Sequence, residues 1–269
     1  MNKEYEELYQ PADNDTDACK RLIDIVRVLR QKCPWDKVQT HESLRTCMIE
    51  EAYEAVDAVD KGDVDNLREE LGDVMLQVVL NGIIGENMGE FTITDIINEE
   101  CEKMIRRHPH IFDSESPKTI DKVLEKWENI KREEHGESLK VERLADVPKA
   151  LPALIRSAKV QKRASQVGFD WDSAEEALPK IEEEYEELRT ALGMGDLRSA
   201  EEELGDLLFS VVNVSRLLGV NPEEALKGST DKFIDRFGFI EERAIARGAD
   251  IESMTLEEMN EIWEEAKLK

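Results

Sequence analysis

The chain contains one stretch twice. Glu50–Asp73, EEAYEAVDAVDKGDVDNLREELGD, returns as Glu183–Asp206, EEYEELRTALGMGDLRSAEEELGD. Each copy reads as two helices joined by a glycine-bearing turn, and the interval from Glu54 to Glu70 equals that from Glu187 to Glu203. A recurrence of this length restricts the chain to a tandem helical architecture. A helical residue advances about 100°, so Glu51 and Glu54 share a stripe, as do Glu70 and Asp73, and likewise Glu184 with Glu187 and Glu203 with Asp206. Leu67, Leu71, Val74 and Val78 flank the Glu70/Asp73 stripe on one side, and Leu76 and Leu80 on the other. The second copy repeats the pattern with Leu204, Leu207 and Val211. Carboxylates set among apolar sectors need a positive partner. The Glu70/Asp73 stripe contains no Lys or Arg, so a hard divalent cation is the expected partner.

The formal charge is −26 over 269 residues. Such a chain is poorly suited to the nucleic-acid backbone, whose binding rests on Lys and Arg displacing counterions, or to anionic membranes. Bound metal ions can still reverse the local sign for a polyphosphate. No apolar run approaches a membrane span, and MNKEYEELYQ has no signal-peptide character. Cys19, Cys33, Cys47 and Cys101 form no CxxC pair, which fits reduced thiols and a cytoplasmic setting.

The expected class is all-α. Residues 1–16 read as a tail, 17–134 as a first helical domain, 135–149 as a linker and 150–269 as a second domain. In the first domain the periodicity predicts helices over 16–31, 42–60, 65–85, 94–107 with Thr94 as cap, and 120–134. CPWD, residues 33–36, breaks the first helix and Gly62 ends the second. The second domain repeats this order, with VGFDWD at 167–172 in the place of CPWD, and ends with helices over 222–247 and 256–267. DNDTD, residues 13–17, has Ala18 where a calcium loop needs glycine, so a helix cap is expected there.

Downstream of each acid hairpin stands a cationic and aromatic set. Lys103 and Arg107 match Lys232 and Arg236, and Trp127 with Lys131 matches Trp263 with Lys267, each pair four residues apart. Lys and Arg suit phosphate oxygens, and an indole suits a nucleobase face. Acid cluster, basic pair and aromatic together describe a nucleoside polyphosphate pocket. Each element also has a plainer reading, as a solvated acidic face, a surface ion pair or a core tryptophan. An acidic helical scaffold that dimerises without catalysis is therefore the alternative. A di-iron carboxylate bundle would need Glu-x-x-His pairs, which neither acid helix contains.

These residues resemble the MazG family of nucleoside triphosphate pyrophosphohydrolases. EEAYE with EELGD, and EEEYE with EELGD, match its EExxE…ExxD signature, and CPWD, RRHPHIF and VGFDWD follow in matching order over residues 17–269. The resemblance implies Mg²⁺-dependent hydrolysis of NTPs and dNTPs to the monophosphate and pyrophosphate by homodimers, with Mn²⁺ as a substitute metal. It implies Glu184, Glu187, Glu203 and Asp206 as metal ligands, with Glu183 beside them. Lys232, Arg236, Trp263 and Lys267 would hold the nucleotide. Glu51, Glu54, Glu70 and Asp73, with Lys103, Arg107, Trp127 and Lys131, are the first-copy counterparts. Lys180 lies one turn before Glu184, within reach of a phosphate, where the first copy has Cys47. That difference makes the second copy the expected better catalyst.

Overall fold

The computed structural model describes residues 3–112, 119, 123, 130 and 144–268, among which every regular element is helical and none is a strand. No described helix is long and apolar enough to cross a membrane. The chain divides into two compact units, Met1–Glu134 and His135–Lys269. The helix expected over 120–134, with Trp127 and Lys131, lies outside the described residues except at isolated positions.

In the first unit, α1 (Asp15–Lys32) starts where the Asn14 side chain accepts from the Asp17 amide at 3.0 Å, which supplies a partner to a free N–H of the first turn. It ends at Cys33, and the Arg30 guanidinium folds the following segment back by donating to the carbonyls of Asp36 and Gln39. α2 (Arg45–Lys61) and α3 (Val64–Met88) form the acid hairpin. Gly62 closes α2 at φ 66°, a left-handed conformation open to glycine, and Asp63 caps α3 by accepting from the Asn66 amide. Thr92 and Asp95 form a reciprocal capping box that starts α4 (Ile93–Arg107). The cap is therefore Thr92 and not Thr94, because only Thr92 has an acid three residues on to return the bond. A short α5 (Pro109–Phe112) follows.

The core of this unit lies along the C-terminal half of α3. Val79, Leu80, Ile83 and Ile84 pack with Val26 of α1, Leu44 and Ile93 of α4. Two α3 glycines let α4 and the turn before it approach. A Cβ on Gly82 would stand 2.5 Å from Ile93, and one on Gly85 would stand 2.6 Å from the Phe91 ring. With its C-terminal half held in the core, α3 projects the N-terminal half, which carries Glu70 and Asp73, alongside α2.

The second unit repeats the plan. α6 (Ala153–Ser165) leads into VGFDWD, where Asp170 pairs with Arg216, whose Nη2 also donates to Asn213 at 2.8 Å. This pair fastens the segment to the helix over Leu197–Leu217 and gives the motif a structural task. α7 (Ala174–Met194), capped by Ser173, and α8 (Leu197–Leu217), capped by Asp196, form the second acid hairpin around Gly195 at φ 72°. α9 (Pro222–Ala246) and α10 (Leu256–Ala266) pack through the buried Ile240, Ala244 and Ile262.

Candidate metal centre

Both hairpins gather carboxylates at mid-length. In the first, Glu51 and Glu54 of α2 and Glu70 of α3 each bring one oxygen within 4.8 Å of the others. Burial, followed by the charges of Asp73 and Glu54, raises the Glu51 carboxyl above its ordinary range. Glu70 is raised by burial and by Glu54 and Asp73, so Asp73 belongs to the same electrostatic cluster. In the second hairpin two triads overlap, Glu183/Glu184/Glu187 and Glu184/Glu203/Asp206, each within 4.8 Å. Glu203 is raised by burial and then by Glu187 and Glu184.

One expectation is corrected here. The acids are not all sunk among apolar side chains. Of the eight, Glu184 alone is buried, whereas Glu54, Glu187 and Asp206 are exposed. The reason is that their apolar flanks are open too: Leu71 is 54%, Val78 42%, Leu204 48% and Val211 45% exposed. The second hairpin carries a compensating cation of its own. Lys180 reaches Glu184 at 2.6 Å and Glu183 at 2.8 Å. Those two bonds, the one to Glu183 first, raise the lysine above its ordinary range. The first hairpin has Cys47 at that position.

An all-oxygen set of three or four anionic ligands, each close enough to repel its neighbours, fits a hard divalent cation. The helical frame supplies the geometry without loops, since two acids come from each antiparallel partner.

The basic and aromatic residues are distributed less uniformly. The Arg236 guanidinium lies over the Trp263 ring at 5.5 Å, and Phe233 meets the same indole at 5.2 Å with a 52° tilt. Trp263 is therefore partly covered by its own unit and is not an open base platform. Lys232 is exposed, and Lys267 pairs with Glu264 at 2.5 Å. In the first unit, Lys103 pairs with Glu100 and Arg107 is half-buried, while Trp127 and Lys131 lie outside the described residues. His108 Nδ1 donates to the Met104 carbonyl at 2.7 Å, a role at a helix end. Sequence reasoning missed Gln77 of α3, which continues the Glu70/Asp73 stripe by one turn and is buried. Its signal was the i+4 step from Asp73.

The MazG nucleotide pyrophosphohydrolase domain matches this chain over residues 39–112 and 172–237, the two segments that hold the acid hairpins. A Thermotoga maritima protein described as nucleoside triphosphate pyrophosphohydrolase/pyrophosphatase MazG is 46% identical over 250 residues, covering 92% of this chain and 95% of its own. The Escherichia coli K12 nucleoside triphosphate pyrophosphohydrolase is 40% identical over 252 residues, covering 92% and 96%. A crystal structure of a mazG-related protein from Thermotoga maritima aligns with 42% of this chain and 98% of its own, at 28% identity and a TM-score of 0.39.

Proposed function

The chain belongs to the MazG nucleotide pyrophosphohydrolase family, and we propose that it hydrolyses nucleoside and deoxynucleoside triphosphates to the monophosphate and pyrophosphate with Mg²⁺. The observation that carries this reading is the convergence, in each hairpin, of carboxylate oxygens from two helices within 4.8 Å of one another. The hydrolase activity named for the relatives over more than nine-tenths of this chain supports it.

In this reading Glu184, Glu187, Glu203 and Asp206 hold the cation, with Glu183 beside them, and Glu51, Glu54, Glu70 and Asp73 form the matching first-copy set. Bound Mg²⁺ supplies charge neutralisation at the phosphates and a water of lowered pKa, and Mn²⁺ can replace it. Lys180 starts on Glu183 and Glu184 and transfers to a phosphate oxygen when substrate arrives, which keeps the local charge balanced. Lys232, Arg236 and Lys267 face the outer phosphates, and Trp263 takes the base once Arg236 leaves its ring. Lys103, Arg107, Trp127 and Lys131 are the first-copy equivalents. Because an ammonium stands one turn from the acids in the second copy alone, that copy is the stronger catalyst.

The exposed leucines and valines beside the acid stripes support a homodimer that covers them. Residues 17–134 and 150–269 act as the two domains, joined by a linker at 135–149, in a cytoplasmic protein. The test is to incubate the protein with a panel of NTPs and dNTPs, with and without Mg²⁺, and to resolve the products. Monophosphate and pyrophosphate that appear only with metal support the reading. Orthophosphate as the first product, or no turnover, favours a phosphatase or the non-catalytic helical scaffold.

A further inference from the structure

His41, in the turn over residues 41–44 that leads into α2, is held from two sides. Its Nδ1 lies 2.6 Å from Asn81 Oδ1 of α3, and its Nε2 lies 3.7 Å from Glu90 Oε2 in the turn that leads into α4. The Asn81 amide fixes where the imidazole carries hydrogen. Asn81 Nδ2 donates to the Gln77 carbonyl at 2.8 Å, so Oδ1 is the acceptor and His41 Nδ1 must be the donor. A neutral imidazole with Nδ1–H has a bare lone pair on Nε2, and that nitrogen is closed to water and has no hydrogen-bond partner. A lone pair is poorly placed beside a carboxylate, whereas an N–H is well placed there. Among the other charged groups on these elements, the Glu42 carboxyl is held below its ordinary range by its own backbone N–H and the Thr40 hydroxyl, then by His41 and Arg45. Glu86 of α3 is taken by Arg27 of α1 at 3.1 Å. At the offset that relates Glu51 to Glu184, His41 and Asn81 become Ala174 and Val214, which share a buried apolar cluster. The polar link is therefore particular to the first unit.

We propose that His41 is a proton-operated latch in the first unit. As imidazolium it ties the entry of α2 to α3 through Asn81 and to the entry of α4 through Glu90; as neutral imidazole it keeps Asn81 and releases Glu90. Histidine is the side chain whose ordinary titration falls between about pH 5 and 8. An imidazolium that gains a carboxylate on folding stabilises the fold at the acid end of that range, and the contribution is lost as pH rises through it. The turn that Glu90 belongs to seats α4. The Glu90 amide donates to the Gly85 carbonyl at 3.0 Å, and the Phe91 ring, stacked on His41 at 5.8 Å, lies against Gly85. Releasing Glu90 therefore favours local opening at this turn before the unit as a whole unfolds. Glu90 is exposed, so solvent screens the pair and the effect is modest. The latch stands apart from the acid clusters and operates whether or not they hold a metal.

Two-bond ¹H–¹⁵N correlation spectra of the full chain, labelled at its four histidines, test this, with the His41 signals assigned by their loss in His41→Gln. The expected result is an imidazolium at about pH 5.5 that passes to the Nδ1–H tautomer by about pH 8.5. Glu90→Gln keeps His41 and its bond to Asn81 and removes only the anion, so it reads the latch without disturbing the core. Hydrogen exchange at the residue-90 amide, corrected for intrinsic rates, is expected to be slower in the parent than in Glu90→Gln by roughly threefold at the acid end and equal at the alkaline end. The acid clusters are common to both chains, so their own pH dependence cancels in this ratio. Three results each overturn the latch: a neutral His41 at the acid end, a neutral form protonated at Nε2, or an exchange ratio that does not change with pH.

Discussion

Lys180 Nζ stands 2.6 Å from Glu184 Oε1 across one turn of α7, the carboxylate 7% exposed and the ammonium 39%. The most buried acid of the second hairpin thus carries its own counter-ion, which is placed where a phosphate can take it over.

Removing the counter-ion leaves Glu184 buried and unpaired. Lys180→Met is expected to lower the melting temperature in EDTA, and Mg²⁺ is expected to restore much of the loss by taking over the charge. With a nucleoside triphosphate, kcat/KM is expected to fall on the order of 10-fold to 100-fold, the scale of a hydrogen bond to a charged group. Thermal melts with and without metal, and steady-state kinetics, check the two halves separately.

The raised carboxyls of Glu51, Glu70 and Glu203 give metal-free stability a definite pH sign. The folded protein holds these protons more tightly than the unfolded chain, so protonation favours folding. That contribution is complete below the ordinary glutamate value of 4.5 and is lost as pH rises through the raised values above it. Cation binding has the opposite sign, because the ligands must be deprotonated. Melting temperatures measured upward from pH 4.5 are expected to fall in EDTA relative to a Glu51→Gln/Glu70→Gln/Glu203→Gln variant, while the gain from Mg²⁺ grows with pH.

The asymmetry between hairpins separates two single substitutions. Glu184→Gln removes a residue common to both triads of the second cluster, and pyrophosphate release is expected to fall by about 100-fold or more. Glu51→Gln is expected to cost about tenfold or less. Equal losses in initial-rate assays would show that the copies contribute alike.

Gly85 lies inside α3 beneath the Phe91 ring, where a new Cβ would meet three ring atoms at 2.6–2.8 Å. Alanine normally stabilises a helix interior by about 1 kcal/mol over glycine. Here overpacking is expected to reverse the sign, with Gly85→Ala less stable by about 1–3 kcal/mol. His41 stacks on the same ring at 5.8 Å and limits its retreat. Urea denaturation of the two chains decides it.

The helical class and the paired acid hairpins were legible because period and repetition are properties of the chain itself. Gly62 marked the first turn. Lys180 was legible only as a reach toward phosphate from one turn before Glu184, and its bond to Glu184 itself comes from the structure. Exposure of Glu54, Glu187 and Asp206 was not legible. Flanking leucines report which sectors are apolar, not whether another surface covers them, and Leu71 and Leu204 stand open in the single chain. The Arg236–Trp263 stack also escaped, since it joins α9 to α10 and depends on how those helices pack. Thr92 in place of Thr94 turned on Asp95, one local bond that periodicity does not register. Gln77 was passed over because an amide in an acidic stripe carries no charge, and its burial depends on how α3 packs.

The most direct measurement is pyrophosphate release from a nucleoside triphosphate at saturating Mg²⁺ by the parent chain and by Asp206→Asn. Asp206 is exposed, so its replacement leaves the helical frame intact while removing one oxygen ligand from the second cluster. The expected result is a folded variant slower by on the order of 100-fold or more, with monophosphate and pyrophosphate as the parent's products. A folded variant within about twofold of the parent rate would contradict a metal-centred reaction at this hairpin.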